Sequence, residues 1–207
     1  MKRQKSRGRW LDNHVSDEYV QRARRDGYRS RACYKLMEID DKHQILRSGI
    51  TVVDLGAAPG SWSQLAAKRI GPAGSIIAID ILDMVPMPGV KLIKGDFTAD
   101  STLEDLMRHL SGEQIDLVIS DMAPNLSGMR EIDQPRAMYL AELALESASR
   151  MLRPGGALLV KCFEGEGITQ FRQVLSRAFK QLFNMKPKAS RPKSREIYML
   201  ARGFKAR

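Results

Sequence analysis

Five short runs of apolar, β-branched residues limit what this chain can fold into. They are ITVVDLG (50–56), GSIIAIDI (74–81), VKLIKGDF (90–97), IDLVISDM (115–122) and ALLVKCF (157–163). A strand with one wet face alternates apolar and polar residues. These runs are nearly continuous, so they are predicted to be parallel strands buried on both faces. Helical stretches separate them at 62–70, 102–110 and 135–151, the last stopped by a turn at Arg153-Pro154-Gly155-Gly156. A helix over 167–181, a short strand near 183–187 and a final strand over 195–204 follow. Upstream, a helix capped by Ser16 or Asp17 ends before Asp26-Gly27, and a second, capped by Ser30, runs to about His43. Alternating strand and helix predicts an α/β fold with a doubly wound, mostly parallel sheet and right-handed crossovers.

A chain of 207 residues can bury a core without covalent staples. Its only cysteines, Cys33 and Cys162, exclude a disulfide scaffold and read as reduced, inert thiols of a cytosolic protein. No apolar run reaches the ~18 residues a membrane helix needs. The opening MKRQKSRGRW has no apolar region after it, which argues against a secretory signal. The net charge of +10 is unevenly placed. Residues 1–35 hold eleven Lys/Arg against four Asp/Glu, and residues 180–207 hold nine against one. The middle is net acidic, with fourteen against nineteen. Both basic ends carry aromatics (Trp10, Tyr19, Tyr28 and Tyr34; Tyr198 and Phe204), and RPKSR at 191–195 is the densest patch. That pattern points to a polyanion, because Lys and Arg that neutralise phosphates release counterions. The first ~15 residues are expected to be flexible or ordered only on RNA. His14, His43 and His109 are scattered without metal-ligand spacing, and no metal is expected.

Ligands of such sheets bind beyond the carboxyl ends of the strands, near the switch in strand order. The first strand leads into Asp54-Leu55-Gly56-Ala57-Ala58-Pro59-Gly60-Ser61-Trp62. Small residues there let backbone approach a ligand, and the next helix offers free N–H groups. The loop is not GxGxxG, which counts against a nicotinamide dehydrogenase. Asp80, Asp96 and Asp121 end the next three strands. Asp80 falls about where an acid reaches ribose hydroxyls, and Asp96 suits an exocyclic amine. Three carboxylates at one edge repel unless matched by donors or positive charge. S-adenosylmethionine carries both. Trp62 either stacks on that ligand, the role expected here, or plugs the helix–sheet interface.

Lys161 stands at the tip of the fifth strand, where lysine is seldom buried unless paired. Strands four and five should lie ~4.8 Å apart, bringing Asp121 within its reach. If the last strand runs antiparallel beside the fifth, Glu196 joins them, and Lys161 is expected between two carboxylates.

Together these segments resemble the FtsJ/RrmJ group of S-adenosylmethionine-dependent ribose 2′-O-methyltransferases over nearly the whole chain. The likeness rests on DLGAAPGSWSQ, DMAPN, LLVKCF and RPKSREIY. It implies a Rossmann-like methyltransferase fold, a seven-stranded sheet whose last strand is antiparallel. It implies a catalytic tetrad of Lys35, Asp121, Lys161 and Glu196, and cofactor contacts at Gly60, Trp62, Asp80, Asp96 and Asp121. S-adenosylmethionine would be the donor and S-adenosylhomocysteine the product, with no metal. Within the group the likeness is to the bacterial enzyme that methylates a uridine ribose in the A-loop of large-subunit (23S) ribosomal RNA. The expected partner is therefore ribosomal RNA within the large subunit, met in the cytoplasm by a monomer with no membrane contact. Residues 1–29 are expected to form a basic, RNA-contacting extension, and 30–207 the methyltransferase domain.

The reaction so implied is an in-line attack of the 2′-hydroxyl on the methyl group. Lys161 acts as general base if Lys35, the sulfonium and desolvation leave it neutral. If Asp121 and Glu196 keep it charged, it orients the hydroxyl or steadies the alkoxide. Two rivals stand beside this reading: an RNA base methyltransferase and a non-catalytic RNA-binding ribosome-assembly factor. DMAPN lacks the aromatic that usually follows Pro-Pro in N6-adenine enzymes.

Overall fold

The computed structural model describes residues 17–206 apart from 98, 111, 113 and 126. The expectation for the first ~15 residues lies outside them. Seven strands form one sheet: β1 (Thr51–Leu55), β2 (Ser75–Asp80), β3 (Val90–Lys94), β4 (Ile115–Ser120), β5 (Leu152–Phe163), β6 (Phe179–Met185) and β7 (Glu196–Phe204). Their spatial order is β3-β2-β1-β4-β5-β7-β6. All neighbours are parallel except β7, which runs antiparallel to both β5 and β6. The predicted doubly wound α/β sheet with an antiparallel last strand is thus observed.

The continuous apolar runs of β1, β2, β4 and β5 have the reason given for them; β3 does not, since it lies at the sheet edge and buries only Ile93. Successive residues of each central strand enter opposite cores. Val52, Ile76, Leu117, Ile119, Leu159 and Leu200 pack under α2 (Cys33–His43) and α3 (Ser61–Ile70). Val53, Leu55, Ile77, Ile79, Val118, Leu158 and Val160 pack under α4 (Asp100–Leu110), α5 (Arg130–Met151) and α6 (Ile168–Ala178). α1 (Glu18–Arg25) is capped by Asp17, whose carboxylate accepts the Tyr19 N–H at 3.1 Å.

Several boundaries differ from those read in the sequence. Ser30 does not cap α2. The helix starts at Cys33 behind Ala32, and the Ser30 hydroxyl accepts the Ala32 N–H at 3.2 Å and meets the Ser61 hydroxyl at 2.7 Å. α6 stops at Ala178, and β6 takes the residues from Phe179 onward, because Phe179 to Met185 ladder onto Phe204 to Tyr198. Arg153 to Gly156 are not a free turn but the irregular start of β5, with a register shift opposite Ile115 and Leu117.

Strand order reverses between β1 and β4. That switch opens a crevice at the strands' carboxyl ends, and the glycine loop lies there.

Candidate active site

Gly56 and Gly60 shape the loop after β1. Both have positive φ, +70° and +102°. A Cβ on Gly56 would meet Met122 Cγ at 2.1 Å, and one on Gly60 would meet Met87 Cε at 2.5 Å. Only glycine lets the backbone turn this tightly and lie this close to its neighbours. Gly60 is the N-cap of α3 and supplies no side-chain cap; the Ser63 N–H of the first turn goes to the buried Asp54, while Ser61 and Trp62 of the same turn border the recess. Gly56, Gly60's neighbours Pro59 and Ser61, Trp62, Asp54 and Asp121 line one small recess there, with Ser30 and Ala32 on its far wall.

The three strand-tip acids are differently employed. Asp80 accepts the Ala58 N–H and the Leu82 N–H, both at 2.8 Å, and so ties the loops after β1 and β2 together. Each oxygen keeps a second lone pair for a ligand hydroxyl. Asp96 is exposed just past β3, beside Asp80, whose carbonyl accepts the Gly95 N–H at 2.9 Å. Asp121 follows β4 and borders the recess. Trp62 corrects the stacking expectation. Its indole is 2% exposed, donates to the Ala32 carbonyl at 2.8 Å and lies 5.8 Å from the Tyr198 ring. The indole plugs the helix–sheet interface, and what Trp62 offers the recess is its place in the first turn of α3.

The four tetrad residues come together at the same rim, in two pairs. Lys161 Nζ lies 3.1 Å from Asp121 Oδ1 and donates to the Asp121 carbonyl at 3.1 Å. Lys35 Nζ lies 2.7 Å from Glu196 Oε1. Lys161 therefore does not sit between two carboxylates, as the sequence led us to expect. Lys35, from α2, takes Glu196 for itself, because α2 packs across the start of β7. These side chains are largely buried, between 9% and 18% exposed.

Sequence reasoning passed over two residues. Tyr198 faces Lys161 across the β5–β7 ladder, is fully buried, and donates its hydroxyl to Asp121 Oδ1 at 2.5 Å. Burial first, then the charges of Asp121 and Glu196, push its phenol well above the usual tyrosine range, so it stays a donor. The signal was present, since REIY sets Tyr198 two residues after Glu196, on the same strand face. Asp54, near the end of β1, is 1% exposed and accepts the Ser63 hydroxyl at 2.6 Å. Burial, reinforced by Asp121 and Asp80, pushes its carboxyl up to about 7 against the pull of Ser63. Further along, Asp133 accepts N–H groups of Ser127 and Gly128 at 2.7 and 3.0 Å, which anchors the loop leaving Asp121.

Burial pushes the Cys33 and Cys162 thiols up to about 12, consistent with inert roles. A larger groove between α5 and α6 opens at the opposite end of the sheet, by Gln114, Pro154 and Phe204, away from this chemistry. Among the described residues no helix is long and apolar enough to cross a membrane.

The cradle fits S-adenosylmethionine. Glycine backbone gives close approach, the start of α3 gives donors, and Asp80, Asp96 and Asp121 give acceptors for hydroxyl, amine and ammonium groups.

Comparison with known proteins agrees with this chemistry. Residues 28–204 match the family described as FtsJ-like methyltransferase. The chain is 56% identical over 203 residues to the ribosomal RNA large subunit methyltransferase E of Alkalilimnicola ehrlichii, covering 98% of this chain and 97% of that one. It is 55% identical to the protein of the same name from Pseudomonas aeruginosa, covering 99% of each. A crystal structure described as a ribosomal RNA methyltransferase from Plasmodium falciparum superposes with a TM-score of 0.78 at 31% identity, covering 87% of this chain and all of that one.

Proposed function

The chain belongs to the FtsJ-like methyltransferase family, and on that premise we propose that it methylates the 2′-hydroxyl of a ribose in large-subunit (23S) ribosomal RNA. The substrate we infer is a uridine of the A-loop, met in the cytoplasm by a monomer. The observation that carries the reading is the double Lys–carboxylate pairing at the strand tips, 3.1 Å for Lys161–Asp121 and 2.7 Å for Lys35–Glu196, beside the glycine loop. When bound, S-adenosylmethionine supplies an activated methyl group on a sulfonium and leaves as S-adenosylhomocysteine.

The protein's residues do the rest. Asp80 and Asp96 take the nucleoside end of the donor, and the first turn of α3 with Asp121 takes the amino-acid end. Lys161 donates to the Asp121 carbonyl and pairs with its carboxylate, and its ammonium keeps donor capacity for the incoming hydroxyl. Neutral, it takes the hydroxyl proton; charged, it steadies the oxygen that attacks. Lys35, held by Glu196, places a second cation at the rim where the phosphate backbone must pass. Alignment of hydroxyl and methyl supplies much of the rate, because it removes orientational freedom in advance.

The test is labelled-methyl transfer to large ribosomal subunits, followed by alkaline hydrolysis of the product. A 2′-O-methyl nucleotide resists cleavage at its own phosphate. Lys161→Ala should abolish transfer while S-adenosylmethionine binding survives. An alkali-sensitive product points instead to base methylation, and a fully active Lys161→Ala chain to a different reacting centre.

A further inference from the structure

The segment 27–32 joins the amino-terminal helices to the cofactor loop through a set of hydrogen bonds. The Arg29 N–H donates to Gln64 Oε1 at 3.1 Å, and Gln64 Nε2 donates to the Gly27 carbonyl at 2.8 Å. Ser30 meets Ser61, and Trp62 donates to Ala32. These contacts fix the backbone of the segment to the first turn of α3. They leave the Arg29 side chain a separate task. Its Nη1 donates to the Pro59 carbonyl and its Nη2 to the Pro86 carbonyl, both at 3.2 Å.

Pro59 belongs to the glycine loop and Pro86 to the connection 81–89 between β2 and β3. Asp80 ties the same two loops from within, through Ala58 and Leu82. The guanidinium ties them from outside. It also lies against the glycine loop itself, since a Cβ on Gly60 would stand 3.0 Å from Arg29 Nη1. The connection contributes little to the core: Ile81, Leu82 and Val85 are 61%, 61% and 74% exposed. A loop with so few buried contacts opens at low cost unless hydrogen bonds hold it.

We propose that Arg29 is a positioning residue for the cofactor cradle, its two-pronged guanidinium fastening the glycine loop to the β2–β3 connection. This rests on the reading above that the cradle holds S-adenosylmethionine. A planar fork satisfies two carbonyls on separate loops at once; a lysine ammonium keeps the charge but not the fork.

The test measures binding of S-adenosylmethionine to the full chain without RNA, by calorimetry and by displacement of labelled cofactor, for wild type, Arg29→Lys and Arg29→Met. Both variants should bind at least about tenfold more weakly, the loss expected for two solvent-exposed hydrogen bonds from a charged donor, with the change in the dissociation rate. Melting temperatures without cofactor should fall by no more than about 4 °C, whereas a general structural defect would lower them further. Arg29→Lys should keep wild-type salt dependence of RNA binding. Cofactor affinity of Arg29→Lys within twofold of wild type overturns the proposal. So does an Arg29→Met variant that loses only RNA affinity, which would make Arg29 a phosphate contact alone. A wild-type chain that methylates a base overturns the proposed function and leaves this result standing. A wild-type chain that does not bind S-adenosylmethionine overturns both.

Discussion

Asp54 illustrates how a single buried acid sets a pH response. Its carboxyl is buried, and its Ser63 partner only partly offsets that burial. The folded state therefore holds a proton up to about pH 7, whereas an unfolded aspartate releases it near 3.8. The sign follows directly: the native state binds more protons, so stability falls as pH rises from about 4 to 7 and is level above that. A shift to about 7 corresponds to on the order of 4 kcal/mol across that window. Asp54→Asn keeps the shape of the protonated acid and removes the titration. Melting curves between pH 4 and 8 should show the difference between variant and wild type growing in favour of Asn as pH rises. A constant difference would mean that Asp54 does not titrate in this range.

Among the elements, β7 contributes most to the site. Running antiparallel beside β5, it sets Tyr198 opposite Lys161 and Glu196 opposite Phe163. Tyr198 thus reaches Asp121 on β4's tip while β5 lies between them in the sheet order. Tyr198→Phe removes a donor to a charged acceptor, an interaction typically worth about 1.5–3 kcal/mol. We expect kcat to fall about tenfold or more, with a smaller rise in KM for S-adenosylmethionine, because Asp121 loses a partner while Asp80 and the glycine loop keep theirs. An unchanged kcat would show that Asp121 needs no help from β7. Much of this architecture was legible in the residues. Five apolar runs declared the strands, four of them buried on both faces, and the acids after three of them declared the ligand edge; that VKLIKGDF would be an exposed edge strand was not declared. β6 was legible only in part: a strand near 183–187 was expected, but its first residues read as helix, because Phe179–Met185 has no β-branched residue and takes strand form by pairing with β7. The pairing of the tetrad was not legible. Spacing tells which residues share a rim, but only the packing of α2 against β7 decides that Lys35 holds Glu196. Trp62 misled for a related reason. An indole beside a ligand loop can face either way, and here the carbonyl of Ala32 claims its N–H.

At the scale of the molecule, the described part of the amino-terminal basic region meets the carboxyl-terminal one. The Glu38 carboxylate on α2 accepts the N–H groups of Lys188 and Ala189 at 2.6 and 2.9 Å, and the Arg31 guanidinium donates to the Ala189 carbonyl while pairing with Asp17. Two clusters separated by most of the sequence become one positive field next to the tetrad. Such a field binds polyanions with affinity that falls steeply with salt. Glu38→Ala leaves every cation in place and frees the segment that carries them. RNA affinity should drop severalfold with the slope of log K against log salt unchanged, since no phosphate contact is deleted. A shallower slope would mean that positioned contacts were lost outright. The place of β7 between β5 and β6 has a consequence for synthesis as well. During translation the sheet must wait with a gap until the last strand emerges, and Lys35, made early, finds its partner only then. A ribosome-bound nascent chain lacking that strand would expose two unpaired edges, an invitation to aggregate, and would have no methylating capacity. Catalytic competence thereby doubles as a report that β7 has taken its place in the sheet.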